Sequence, residues 1–283
     1  MQRAGVPKGA YNVVCGDGPT LGQQLVADPR VAMITFTGSV PVGKAIRAAA
    51  GLKRVTLELG SNSGMIVAAY ADIDHAVTRA VAGSFSHSGQ LCISVQRLFV
   101  EEPVAGEFID KFVAATNNLR GGHPFEDSTD YSSLITTEAA IRVEEWIEEA
   151  VSRGAKRLTG GPRRGATIPP TILTNVPADT KIGCQEVFGP VVAVNTFHDL
   201  DDAVRQVNAT PYGLQAGIFT RDLHRAFQAA RALRVGGVMI NEIPTFRADH
   251  MPYGGVKESG LGREGPRYAI EEMTEMKLIC WNV

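Results

Sequence analysis

The sequence has only four cysteines among 283 residues, and they include no C-x-x-C pair. This scarcity excludes a disulfide framework and leaves no zinc-ligand pattern. The six histidines lack the H-x-x-x-H and H-E-x-x-H spacings of metal-binding helices, so we expect no metal site.

Long hydrophobic runs and an excess of one charge are also missing. The longest apolar stretch, residues 65–70, is far shorter than the roughly 18 residues of a membrane span. The first nine residues show no secretory signal, and the net charge of −2 predicts no basic surface for nucleic acid. We therefore expect a cytoplasmic protein whose partners include neither a membrane nor a nucleic acid.

The sequence does contain strand-like and helix-like hydrophobic periods that alternate along the chain, which is typical of an α/β protein with an open parallel sheet. Its length favours two domains. Helices are expected after Pro103, after Asp222 and after either Asp72 or Asp74, because these residues suit helix starts. The predicted helices cover residues 42–50, 73–81, 104–112, 140–150, 223–233 and 267–273. The predicted strands cover residues 11–14, 31–36, 54–59, 64–68, 95–100, 190–196, 215–219 and 237–240.

A glycine-containing turn, Gly38 to Lys44, follows one predicted strand and begins the next helix. Backbone N–H groups at a helix start, approached closely through glycines, are suited to a phosphate or pyrophosphate. The turn departs from a Walker A loop because Ala45 stands where a Ser or Thr would hold Mg²⁺. Taken alone, the segment is better interpreted as an ordinary glycine turn.

Glu58 lies at the carboxyl end of the predicted strand 54–59, where open α/β sheets bind ligands. Val55, Leu57 and Leu59 share one face of this strand, so Glu58 points to the other face. A carboxylate there is either a solvated strand end or a general base whose pKa is raised by burial. Position alone favours the solvated strand end.

Cys92 follows a glycine turn and precedes the predicted strand 95–100. A lone cysteine is usually a small buried hydrophobic residue, whereas an element end can expose the sulfur as a nucleophile. His87 is the candidate partner for a papain-like pair, but its nearness in sequence does not establish contact.

Five motifs occur in order along almost the whole chain. They are F-T-G-S-x-x-x-G at 36–43, L-E-L-G at 57–60, G-Q-x-C at 89–92, E-x-F-G-P at 186–190, and P-[FY]-G-G-x-K-x-S-G at 252–260. With these motifs the chain resembles an NAD(P)-dependent, non-acylating aldehyde dehydrogenase. The resemblance implies that Cys92 forms a thiohemiacetal and then a thioester with the aldehyde, and that Glu58 activates the water that hydrolyses it.

The resemblance also implies NAD or NADP as the cofactor, without deciding between them. Ser39 would contact the pyrophosphate, Glu186 the hydroxyls of the nicotinamide ribose, and Gly16 would lie beside the adenine. The residues assigned to cofactor binding are Gly16, Gly38, Ser39, Gly43, Leu59, Glu186 and Phe188.

The family architecture implies a partial Rossmann-type nucleotide domain joined to an α/β catalytic domain. Residues 1–60 would form the second half of the nucleotide domain, 61–262 the catalytic domain, and 263–283 a helix and an oligomerisation strand at 276–281. We expect a homodimer or homotetramer. The family's N-terminal part, which supplies the oxyanion-hole asparagine, would be absent, so the alternative is an inactive homologue that acts as an assembly partner.

The implied substrate is a small-molecule aldehyde. The run of residues 92–97 resembles that of members acting on small hydroxylated or anionic aldehydes, such as lactaldehyde or glyceraldehyde 3-phosphate. Arg247 could pair with a carboxylate or phosphate of such an aldehyde, with Tyr253 also at the substrate. The alternative for Arg247, favoured from sequence, is a solvated loop arginine.

Overall fold

The computed structural model describes residues 2–283, which form two β-sheets covered by helices. Most strands begin and end within a few residues of the predicted positions. The strands are β1 (Met33–Thr37), β2 (Arg54–Glu58), β3 (Ser63–Val67), β4 (Val95–Glu101), β5 (Lys156–Thr159), β6 (Thr171–Thr174), β7 (Val191–Phe197), β8 (Gln215–Phe219), β9 (Gly237–Ile240) and β10 (Gly260–Leu261).

Six of the nine helices within residues 2–283 begin at a residue whose side chain accepts a hydrogen bond from an otherwise free backbone N–H group. Asp72, and not Asp74, caps one helix through the N–H of His75, and Asp222 caps another. No helix within residues 2–283 has the length and apolar content needed to cross a lipid bilayer. The helices are α1 (Gly18–Ala27), α2 (Val40–Ala49), α3 (Ile73–Phe85), α4 (Glu102–Asn117), α5 (Thr137–Ser152), α6 (Lys181–Cys184), α7 (Leu200–Asn208), α8 (Leu223–Ala232) and α9 (Pro266–Glu272).

The larger sheet has the order β5-β6-β7-β4-β3-β8-β9, and all of its pairs are parallel except β5 with β6. The smaller sheet has the order β1-β2-β10, with β1 and β2 parallel and β10 antiparallel to β2. The predicted α/β class with a parallel sheet is therefore confirmed. The division of the chain after residue 60 and after residue 262 stays a prediction.

The inner strands of the larger sheet are buried on both faces, which explains why most of their residues are apolar. Met65 of β3 packs toward α3 and α4 together with Phe108 and Phe112, whereas its neighbour Ile66 packs toward α7 and α8. Each fully buried side chain of this size contributes about 1.5 to 3 kcal/mol to folding. The helices packed on both faces of the sheet hold in place the loops that carry the candidate site.

One predicted strand is wrong: residues 11–14 form no strand, and Tyr11 and Val14 are exposed. The strand predicted at 276–281 would join the sheet of a neighbouring subunit; within the single chain these residues form no strand and the Trp281 side chain is exposed, so that strand stays a prediction. Strands β5 and β6, at one edge of the larger sheet, were not predicted from the sequence.

Candidate active site

The turn from β1 to α2 is held against the end of β2. The Gly38 N–H donates a hydrogen bond to the Glu58 carbonyl oxygen over 3.0 Å. Gly43 is buried against Leu59, and a Cβ at Gly43 would lie 2.5 Å from a Leu59 methyl group. Ser39 is exposed at the N-cap of α2, and its side chain makes no capping hydrogen bond. The first turn of α2 therefore keeps N–H groups open to a phosphate.

Glu58 is only 3% exposed, so the solvated strand end favoured from its position is wrong. Neither of its carboxylate oxygens has a hydrogen-bond partner among residues 2–283. Burial, followed by the nearby Glu264 carboxylate, raises the pKa of Glu58 to about 8, although Arg263 and Arg247 oppose the shift. A carboxyl group in this state can exchange a proton near neutral pH.

Cys92 lies just after a tight turn in which His87 and Ser88 adopt left-handed backbone angles. Its Sγ is half-buried and lies 3.4 Å from the hydroxyl of Tyr253. His87 is exposed, and no hydrogen bond joins it to Cys92, so the papain-like pair is wrong. Burial raises the pKa of the Cys92 thiol, and the Glu186 and Glu58 carboxylates raise it further. The thiol and the two carboxylates are thus close enough for their charges to interact.

Glu186 lies across the loop that follows β2. One of its carboxylate oxygens accepts a hydrogen bond from the Ser61 N–H over 2.9 Å. The carboxylate also occupies the space that any Cβ at Gly60 would need. Burial raises the pKa of Glu186 to about 7, while the Ser61 N–H and the Arg142 guanidinium oppose the shift. Phe188, two residues later, has a φ of 49° and is partly exposed.

Gln96 is a site residue that the sequence analysis missed. Its buried amide donates to the Ser61 carbonyl over 2.9 Å and accepts from the Val187 N–H over 2.8 Å. Asn62 adds a second connection by donating to the Gln185 carbonyl over 2.6 Å. These bonds fix the segment that carries Glu186 to the loop after Glu58. A polar residue inside a predicted buried strand was the available signal.

Arg97, next along β4, is buried and directed at backbone, away from any substrate. Its guanidinium donates to the Asn62 carbonyl and to the Gln206 and Val207 carbonyls at the end of α7. Burial lowers its pKa to about 10. The end of α7 suits a cation because of the helix dipole. Arg97 therefore ties the loop after Glu58 to the larger sheet.

Ser259 anchors the carboxyl-terminal motif to the same loop. Its hydroxyl donates to the Gly60 carbonyl and accepts from the Gly213 N–H, each over 2.8 Å. The Leu59 N–H donates to the Ser259 carbonyl over 2.9 Å. The motif at residues 252–260 thereby brings Tyr253 to the sulfur of Cys92.

Arg247 lies beside Tyr253 and forms an ion pair with Glu264 over 2.7 Å. Its guanidinium carbon is 4.2 Å from the centre of the Tyr253 ring. Arg247 also lines a cleft of about 370 Å³ that includes Thr56, two residues before Glu58. The structure therefore brings Arg247 to the neighbourhood of Glu58, while its side chain stays partly exposed.

Gly16, predicted beside the adenine, lies in an exposed loop just before α1. Asp17 caps that helix through the Thr20 N–H, and α1 packs against α2. The Gly16 loop and the turn at Gly38 are thus attached to two helices that contact each other.

A model of the aldehyde dehydrogenase family matches residues 1–279. The chain therefore belongs to the aldehyde dehydrogenase family, which confirms the family suggested by the five motifs.

Known members resemble the chain throughout its length. It is 49% identical to a 3-sulfolactaldehyde dehydrogenase of Priestia aryabhattai, over 100% of this chain and 59% of that protein. It is 44% identical to a lactaldehyde dehydrogenase of Methanococcus aeolicus, over 98% of this chain and 59% of that protein. Among solved structures, the chain is similar to the glyceraldehyde-3-phosphate dehydrogenase GapN of Methanocaldococcus jannaschii, which is complexed with NADP. The TM-score is 0.94 and the sequence identity is 42%, and the match covers 98% of this chain and 60% of that chain. The chain thus spans about three-fifths of the length of these relatives.

Proposed function

We propose that the chain contains the chemical centre of an NAD(P)-dependent aldehyde dehydrogenase, which oxidises an aldehyde to a carboxylic acid. The observation that carries this proposal is that the half-buried thiol of Cys92 interacts electrostatically with the buried carboxyl group of Glu58, which has no hydrogen-bond partner among residues 2–283. A nucleophile and a base that interact electrostatically are what formation and hydrolysis of a thioester require.

The residues present fit a nicotinamide dinucleotide. The open first turn of α2, with Ser39 at its start, suits the pyrophosphate. Glu186, held by the Ser61 N–H, has a second carboxylate oxygen available for ribose hydroxyls. The relative GapN is complexed with NADP. When bound, the cofactor supplies the acceptor for the hydride.

Cys92 would act as the nucleophile. Its thiolate bonds to the aldehyde carbon, and the carbonyl oxygen becomes an oxyanion that the backbone N–H of Cys92 can stabilise. Loss of hydride from that carbon would leave a thioester on the sulfur, and a nicotinamide dinucleotide held by Ser39 and Glu186 would supply the hydride acceptor. Glu58 then accepts a proton from water as the water oxygen attacks the thioester carbon. The carboxylic acid leaves, and the thiolate is restored.

Burial and nearby charges shift the ionisation of the two reacting groups. The Glu58 carboxylate raises the pKa of the Cys92 thiol. With its own pKa raised to about 8, Glu58 is mostly protonated at pH 7, and the ionised fraction that can act as a base grows as the pH rises. Thioester hydrolysis should therefore accelerate between roughly pH 7 and 9.

The proposed substrate class is a three-carbon 2-hydroxyaldehyde with an anionic group on the third carbon. Sulfolactaldehyde and glyceraldehyde 3-phosphate, named for two relatives, share this skeleton with lactaldehyde, which is neutral. Arg247 carries the positive charge that could distinguish them, with Tyr253 beside it. An anionic substrate would compete with Glu264 for the guanidinium.

The reaction is tested by mixing the purified protein with aldehyde and NAD⁺ or NADP⁺ and following NADH or NADPH absorbance. We expect a burst that Cys92→Ala abolishes, with Cys184→Ala as the matched control. Glu58→Gln should keep the burst but lose most of the steady-state rate, because only thioester hydrolysis needs the base. The absence of any burst at saturating cofactor would contradict the proposal.

The substrate class is tested with Arg247→Ala. We expect the ratio of kcat/KM for an anionic over a neutral hydroxyaldehyde to fall about 10- to 100-fold, as for a lost hydrogen-bonded charge pair. Arg267→Ala, an exposed arginine of α9, is the control. An unchanged ratio would mean that Arg247 does not recognise the anion.

The second candidate function is that of a non-catalytic assembly partner. It is favoured by the exposed apolar side chains of the tail, which include Leu278, Ile279 and Trp281. Exposed apolar groups of this kind often mark a contact with another chain. Homo-oligomerisation through residues 276–281 combined with no burst would support this function over the enzymatic one.

A further inference from the structure

The hydroxyl of Tyr253 is, among residues 2–283, the one side-chain group from another segment that lies within hydrogen-bond distance of the Cys92 sulfur. Tyr253 is 3% exposed. Its backbone pairs with Glu264 in both directions, over 3.1 and 2.6 Å. Its ring packs with Ile93 and Leu214. A side chain fixed on both its backbone and its ring has little freedom to turn its hydroxyl away.

The hydroxyl and the sulfur are 3.4 Å apart, which is within the range of hydrogen bonds to sulfur. Among residues 2–283, this is the only hydrogen bond that the Sγ of Cys92 makes with another residue. A thiol ordinarily ionises near pH 8.5 and a phenol near pH 10. Because the thiol therefore loses its proton first, the phenol is the donor whenever the sulfur is reactive.

The other groups around the sulfur oppose its ionisation. Glu58 approaches from the end of β2, Glu186 from the loop before β7, and both carboxylates raise the pKa of the thiol, as does burial. The Tyr253 hydroxyl and the backbone N–H of Cys92 lower it. The Arg247 guanidinium lies over the face of the Tyr253 ring, 4.2 Å from its centre.

We propose that Tyr253 is a catalytic residue whose hydroxyl donates a hydrogen bond to the Cys92 thiolate and keeps it charged and oriented for attack. This role rests on the proposed function. Tyr253 forms no covalent bond and transfers no proton, so the reaction stoichiometry is unchanged. Phenylalanine keeps the ring that packs with Ile93 and Leu214, so loss of the hydroxyl alone should leave the fold intact.

The experiment measures alkylation of Cys92 by iodoacetamide from pH 6 to 10, followed by mass spectrometry of the peptide that contains it. Reading this peptide separates Cys92 from the exposed Cys15 and Cys280. In Tyr253→Phe we expect about 10-fold slower alkylation at pH 7 and a midpoint about one pH unit higher, as for one lost bond to a charged group. Tyr70→Phe, at an exposed tyrosine, should match the unchanged protein.

A second variant covers the case in which Tyr253→Phe does not fold. Site-specific 3-fluorotyrosine in place of Tyr253 keeps the ring and makes the hydroxyl a stronger donor, so the alkylation midpoint should move to lower pH. Unchanged midpoints in both variants, with melting temperatures preserved, would overturn the role of Tyr253. Alkylation needs neither cofactor nor aldehyde, so this result is independent of the burst that tests the proposed function.

Discussion

Glu58→Gln replaces a buried carboxyl group with a neutral amide of nearly the same size, and its effect on stability should depend on pH. In the native protein the pKa of Glu58 is raised to about 8 from 4.5. Between these values the unfolded chain has released a proton that the folded protein retains. The free energy of unfolding therefore falls as the pH rises from about 4.5 to 8, and the full stability is present below that window.

The shift corresponds to an upper limit of about 5 kcal/mol, since each pKa unit is worth about 1.36 kcal/mol. Water entering the cleft reduces the cost of ionising the buried carboxyl group, so we expect the free energy of unfolding to change by about 2 to 3 kcal/mol. Relative to the unchanged protein, Glu58→Gln should gain this amount between pH 5 and pH 9. Glu186, whose pKa is raised to about 7, is present in both proteins, so the difference isolates Glu58.

The measurement is urea unfolding at pH 5, 7 and 9, with the free energy extrapolated to zero denaturant. Glu126→Gln, at an exposed glutamate, is the control and should show a constant difference. If the difference for Glu58→Gln is equally constant across the three pH values, the carboxyl group titrates alike in the folded and unfolded protein. The account of Glu58 as a proton-exchanging base would then lose its physical basis.

Two further predictions concern the supports of the site, and both can be measured by urea unfolding at pH 7. Gln96→Leu should destabilise the protein by about 2 to 4 kcal/mol, because the Ser61 carbonyl and the Val187 N–H lose their buried partner. A cost below about 1 kcal/mol would mean that water replaces the amide. Gly89→Ala should cost more than about 2 kcal/mol, because φ is 70° there and a Cβ would overlap the backbone before β7. Gly106→Ala, in α4 with open space around it, should instead be neutral or slightly stabilising.

The sequence predicted most of the buried strands because each of these is an apolar run bounded by turn residues. It missed the antiparallel pair β5 and β6: β5 begins with the exposed residues Lys156 and Arg157, and both strands are only four residues long. The tail at 276–281 has an apolar pattern without a sheet to join in the isolated chain. Strand formation there depends on a neighbour, which a single sequence does not contain.

The candidate site was predicted as far as its motifs extend. Cys92 and Glu58 were identified by family resemblance. The position of Glu58 alone suggested a solvated strand end, because the residues that bury its carboxyl group lie far along the chain, near 254–264. The contacts of Gln96 and Tyr253 could not be predicted, since they join segments separated by 91 and 161 residues. Local sequence patterns do not predict contacts between residues that are so far apart along the chain.

The pairing of β10 with β2 has a consequence for biosynthesis. Because Gly260 lies opposite Glu58 in that pair, the last residues needed to enclose the carboxyl group are translated some two hundred positions after it. Chains emerge from the ribosome amino end first, so the base remains open to water until the carboxyl-terminal segment arrives. A nascent or prematurely terminated product would thus contain Glu58 without the enclosure that raises its pKa, and this carboxyl group would be ionised at neutral pH.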